Sequence, residues 1–183
     1  MKRFGLILLT FLFVSACAAS VQSYKRPGVK FSDYKKIAVV RFDSSDYGAG
    51  QEVSDTIGLE FIKRGFNVIE RSQLRAVIDE EALVQSGLIE SAKSALKISG
   101  VNSIVVGSIS SYNCRPGIIA AGSLALSTNN CHVSLSMKML DVQTGDILWA
   151  ANGAHSRNDV NMTANKVLKV VIEALADQIP STE

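Results

Sequence analysis

Apolar positions along the chain follow two distinct periods. Between Gln51 and Arg64, Val53, Ile57 and Phe61 recur every four residues, the stripe of a helix with one buried side. Gly65 is placed to stop that helix. From Val133 to Met139 the period is two: Val133, Leu135, Met137 and Met139 alternate with Ser134, Ser136 and Lys138. That alternation predicts a strand with one buried and one wet face. Short apolar runs at Lys36–Phe42 (KIAVVRF), Phe66–Arg71 (FNVIER) and Asn102–Tyr112 (NSIVVGSISSY) read as further strands. Ser72 is placed to cap a helix over QLRAVIDEEALVQ, with Gly87 ending that region, and Ser91 to cap a shorter helix that stops at Gly100. Asp141–Asp146 (DVQTGD) forms a turn with Gly145 suited to a positive φ, and Ile147–Ala151 starts the returning strand of a hairpin. The last helix spans Met162–Ile179. Val167, Val171, Leu175 and Ile179 share one face, Ala164, Leu168 and Ile172 widen it, and Pro180 helps end it.

The order β-α-β-α-α-β-β-β-α predicts one α/β domain: a mixed parallel/antiparallel sheet flanked by helices, antiparallel in its C-terminal half. One stretch does not fit either period. NCRPGIIAAGSLALSTNNC, Asn113–Cys131, sets two cysteines around an apolar run containing glycines. It reads as a loop, and three chemistries suit it: a disulfide staple, a membrane hairpin or a metal site.

The N-terminus narrows that choice. Lys2 and Arg3 precede the apolar run Phe4–Val14, and Ser15 and Ala16 lead to Cys17. This is an export signal, too short to span a bilayer, which takes roughly 20 apolar residues. Val14-Ser15-Ala16-Cys17 resembles a bacterial lipobox, in which the signal peptide, residues 1–16, is cut away. Cys17 is then the site of diacylglycerol attachment and carries the further acyl chain, such as palmitate. Two or more chains anchor a protein stably. Ala18, where no aspartate stands, resembles lipoproteins sorted to the outer membrane. Residues 17–34 are expected to be the lipidated N-terminus and a tether, because Ala18–Gly28 is polar and without pattern. Residues 35–183 are the expected folded domain.

Charge and cysteine number then take on meaning. The chain has 19 Lys and Arg against 17 Asp and Glu; loss of Lys2 and Arg3 leaves 17 against 17. A neutral chain gives no basic footprint for nucleic acid. Three cysteines in an exported protein leave one odd thiol. With Cys17 lipidated, Cys114 and Cys131 remain as an even pair in an oxidising compartment.

Motifs for catalysis are missing from the sequence. The loop DSSDYGAGQ lies between a strand and a helix, but Gly48 and Gly50 make neither a dinucleotide fingerprint nor a Walker loop. Asp43 and Asp46 are too few oxygens for a cation site and read as turn and helix-start residues. His132 and Cys131 are adjacent in sequence and point to opposite faces of a strand. With His155 remote, no zinc site is expected. No nucleophile elbow, HExxH or acid pair occurs, so the expectation is a non-enzyme without cofactor or metal.

Several segments together resemble the CsgG family. They are Glu70-Arg71-Ser72-Gln73-Leu74, Gln85-Ser86-Gly87-Leu88, Val105-Val106-Gly107-Ser108 and Leu140-Asp141-Val142-Gln143-Thr144-Gly145-Asp146-Ile147-Leu148. Their order and spacing match over roughly Lys35–Leu175. Read from the residues, these motifs are turns and helix starts rather than an active site. The resemblance implies a CsgG/LpoB-like periplasmic domain, an outer-membrane lipoprotein and a homo-oligomer. It also implies work by protein–protein contact in curli biogenesis or other cell-surface assembly and secretion. The related LpoB fold implies an alternative, a regulatory lipoprotein that activates a peptidoglycan synthase.

The channel-forming namesake carries two membrane hairpins, one of them where Asn113–Cys131 lies. Only sixteen residues separate the two cysteines, whereas a crossing hairpin takes roughly 18–22 plus a turn. A complete barrel is therefore not expected. The stretch is then expected to be a loop stapled by Cys114–Cys131 rather than one with two free thiols, and its apolar residues Ile118, Ile119, Leu124 and Leu126 either pack on the domain or form the candidate contact surface.

Overall fold

The period-two segment lies at the centre of the sheet. A computed structural model describes residues 19–69, 71–77, 79, 90–121 and 124–182. The strands are β1 (Ser20–Lys25), β2 (Lys36–Val39), β3 (Asn67–Val68), β4 (Ser103–Ala121), β5 (Leu124–Asp141) and β6 (Ile147–Asp159). Besides a 3-10 turn at Phe31–Tyr34, the α-helices among the described residues are α1 (Tyr47–Lys63), α2 (Arg71–Val77), α3 (Glu90–Ile98) and α4 (Ala164–Ala176). The sheet runs β1-β6-β5-β4-β2-β3. β2 is parallel to β3 and β4, and the other pairs are antiparallel. The expected mixed, helix-flanked α/β sheet is what forms.

Alternation along the strands divides the core in two. Ile37 and Val39 of β2 face one way, into a cluster with Val53, Ile57 and Phe61 of α1 and Val171 and Leu175 of α4. Val133, Leu135, Met137 and Met139 supply its β5 wall. Trp149 is fully buried there, with Phe61 edge-on at 6.1 Å between ring centroids. Ala38 and Val40 face the other way, under Leu74 of α2 and Ala92 and Leu96 of α3. Each large apolar side chain so buried contributes about 1.5–3 kcal/mol. Gly107 makes room for this packing: a Cβ there would stand 2.3 Å from the Phe42 ring, which would have to shift.

Several boundaries differ from expectation for identifiable reasons. α1 starts at Tyr47 rather than Gln51, because the Asp46 carboxylate accepts a hydrogen bond from the Ala49 N–H at 3.1 Å and caps it there. Ser72 lies inside α2 and Ser91 inside α3, so neither is a cap. Thr163, accepting from the Lys166 N–H, caps α4. Residues 1–17, Glu70 and the Gln85–Leu88 motif lie outside the described residues.

Two segments expected to be irregular are strands. Ser20–Lys25, within the expected tether, is the edge strand β1, in register with β6 from Ser20↔Ala154 to Lys25↔Trp149. Its far end is tied by an Arg26–Asp146 ion pair at 2.7 Å. The bracketed stretch is not a loop either. β4 continues unbroken to Ala121 and β5 begins at Leu124, so Asn113–Ala121 and Leu124–Cys131 are paired strand. β6 likewise starts at Ile147 as expected and runs well past Ala151, to Asp159.

Candidate functional site

The feature built from these strands is an arm. β4 and β5 pair from Ser103↔Asp141 outward to Ala121↔Leu124. β6 accompanies them as far as Asn129↔Asp159. The last five rungs, Gly117↔Thr128 to Ala121↔Leu124, therefore stand as a two-stranded tip. No charged residue occurs from Pro116 to Cys131.

At the base of the arm, Cys114 and Cys131 face each other and are joined, with their Cα atoms 4.0 Å apart. Cys131 is buried in the core, while Cys114 is exposed. The Asn129 amide donates to the Met162 carbonyl at 3.0 Å, fixing β5 to the segment before α4. Tyr112 is a half-buried anchor of β4, its hydroxyl donating to the Asn165 side chain. Burial, and then the charges of Asp46 and Glu52, hold its phenol above the ordinary tyrosine range.

Of the four expected contact residues, Ile118 is 76% exposed and Leu126 54% exposed. Ile118 pairs with Ser127, and Leu126 with Ile119 on the next rung. Neighbouring rungs point to opposite faces, so the tip presents apolar surface on both sides rather than one patch. The side chains of Ile119 and Leu124 lie outside the described part.

The other candidates do not converge. His132 meets the Ser156 hydroxyl across the strands at 2.6 Å, on the face away from α1 and α4. His155 pairs with Val133 and so faces the opposite side. Among the described residues no cluster of three or more metal-ligating side chains forms. Asp46 is spent on the α1 cap. Asp43 serves through its backbone, donating to the Gly107 carbonyl and accepting from the Ile109 N–H, each at 2.8 Å.

Two further surfaces were less legible in the sequence. The sheet face not covered by α1 and α4 carries a row of register-matched polar residues, Gln22, Asn152, Ser136 and Ser108. Ser108 and Ser136 bond at 3.0 Å, and Ser110 and Ser134 at 3.1 Å. The wet face of β5 foretold part of it; the extension through β6 and β1 had no apolar alternation to announce it. On the opposite side, a groove of about 540 Å³ runs between α1 and α4 over Leu59, Leu168 and Ile172.

The fold and its surfaces define the class: a mixed sheet between two helical layers, with its extended hairpin free of metal clusters and paired acids among the described residues. The chain belongs to the CsgG family, since the model described as "Curli production assembly/transport component CsgG" matches residues 17–178. No curated protein sequence matches it significantly. A PelC dodecamer from Paraburkholderia phytofirmans superposes with a TM-score of 0.53 at 14% identity, covering 86% of this chain and 96% of that one. Lipoprotein GNA1162 from Neisseria meningitidis gives 0.52 at 16% identity, covering 78% and 96%. Both likenesses are of fold. The LpoB C-terminal domain from Salmonella enterica aligns at 0.45 with 19% identity over 70% and 85% of the two chains, a likeness too slight to carry an argument.

Proposed function

We propose that this protein is a lipoprotein of the periplasmic side of the outer membrane, anchored through Cys17. In this reading it acts by protein–protein contact in curli-type or other cell-surface assembly or secretion, as a homo-oligomer and without catalysis. The observation that carries the reading is the exposed, uncharged arm tip around Ile118 and Leu126, on a domain whose family is described by curli assembly and transport. Ile118 and Leu126 offer a partner one exposed apolar side chain on each face of the arm. The five two-stranded rungs fall short of the roughly 9–11 residues per strand that cross a bilayer. That shortfall favours a contact arm over a barrel stave. The dodecameric PelC structure supports the oligomer, and the sequence around Cys17 supports the anchor.

Photo-crosslinking in cells from position 118 or 126 tests the contact. Capture of a second copy or of a secretion component is the expected result. Recovery of a peptidoglycan synthase would instead favour the regulatory alternative, and crosslinks arising only from control positions on α1 would remove the arm from the function. For the anchor, Cys17→Ser should abolish palmitate labelling and release the protein from membranes; unchanged membrane retention would refute lipidation there.

A further inference from the structure

We propose that the Cys114–Cys131 disulfide is a clasp on an edge strand, and that its redox state decides whether the outer arm is ordered. The two halves of β4 are held in different ways. As far as Tyr112 the strand lies over the core, through Val105, Ile109 and the Phe42 ring on Gly107. β2 flanks it only at Ser103–Val105, with one further bridge at Asp43↔Ser108. Beyond Tyr112, the described side chains of β4 are exposed except for half-buried Gly117. That outer half contains Pro116, Gly117, Ala120 and Ala121, residues that favour strands poorly. β5 is better placed at the same level, because β6 flanks it to Asn129 and Cys131 is buried. The clasp therefore joins a strand with little hold of its own to one that is secured. An isolated two-stranded hairpin is marginal in water, and beyond buried Thr128 the tip, from Ile118↔Ser127 to Ala121↔Leu124, is such a hairpin.

Reduction by a dithiol has an open route. Its thiolate attacks the sulfur of Cys114, the exposed residue of the pair, the S–S bond breaks, and Cys131 leaves as a thiolate that takes up a proton. The second thiol of the reagent then displaces Cys114 as a free thiol, and the reagent departs as its cyclic disulfide. β4 is then free to peel outward from Asn113, taking the tip with it, while β5 stays in the sheet from Asn129 inward. This inference concerns order alone and does not depend on what the tip touches.

Hydrogen exchange of the full chain, oxidised and after dithiothreitol treatment of the folded protein, tests it. Amides of 113–121 and 124–128 are expected to be protected when oxidised and to lose at least tenfold of that protection on reduction, while 133–139 remain slow. The double variant C114S/C131S should reproduce the reduced pattern. An arm equally protected in both states, an arm unprotected in both, or a reduced protein whose 133–139 amides also exchange freely would each overturn the clasp.

Discussion

The β4–β5 hairpin is one ladder, with a single register shift between Ile109 and Ser111, and has two unlike halves. The inner half rests on α1 and α4, and its apolar residues, among them Leu135, Met137 and Met139, are almost wholly buried. The outer half has the same backbone pairing, yet Ile118 and Leu126 stand in solvent. Hydrogen bonds in the ladder contribute only about 0.5–1.5 kcal/mol each once water is exchanged. Burial of apolar area supplies most of the stability, so the inner half is the stable one. The lesson is that strand pairing and stability are separable along a single strand.

The sharpest way to break this contrast is to make one substitution twice on β5. Leu135→Ala should cost about 2–5 kcal/mol, as for other buried leucines, read as a lowered denaturant midpoint. Gly107→Ala comes next: its methyl meets the buried Phe42 ring and should cost about 1–3 kcal/mol by overpacking, visible as a reduced melting temperature. Thr163→Ala removes the α4 cap and should cost about 1 kcal/mol in urea titration.

A smaller effect depends on pH. Hydrogen bonds from Lys63, and then Arg64, hold the Glu60 carboxyl below its ordinary range against the opposing effect of burial. A carboxyl depressed in the fold stabilises above its unfolded value of about 4.5 and loses that contribution as pH falls through the lower folded value. Glu60→Gln should therefore flatten the acid limb of the stability profile, by less than about 1 kcal/mol because its partner Lys63 is largely exposed. An acid limb unchanged in the variant would assign the dependence elsewhere. The smallest change is the counterpart of the first: Leu126→Ala should leave stability within about 0.5 kcal/mol. A loss as large as that of Leu135→Ala would show that the tip is packed after all.

The same division explains what could be read from the sequence. Burial leaves a trace in the sequence, so α4, the inner half of β5 and the existence of β2 as a buried strand were legible. Gly145 was also legible, because its turn requires the positive φ it adopts. The outer arm and β1 were not. They pair through backbone groups, which every residue possesses, and of β1 only Val21 is packed against the core. The polar end of β6 was missed for that reason too. At the candidate site, the cysteine pair could be inferred by counting once Cys17 was set aside. The geometry of the tip could not, because proline, glycine and alanine in succession suggest a loop unless the partner strand is known.

The position of β1 has a bearing on reach. A leash works by letting a domain wander, and its scope is set by the number of free links between mooring and cargo. β1 joins the sheet at Ser20, three residues after Cys17. With lipid on Cys17, those three residues extend at most about 10 Å, roughly the depth of a headgroup layer. The domain would then be berthed close to its leaflet by the Ser20 end of β1, and a partner would have to come to it.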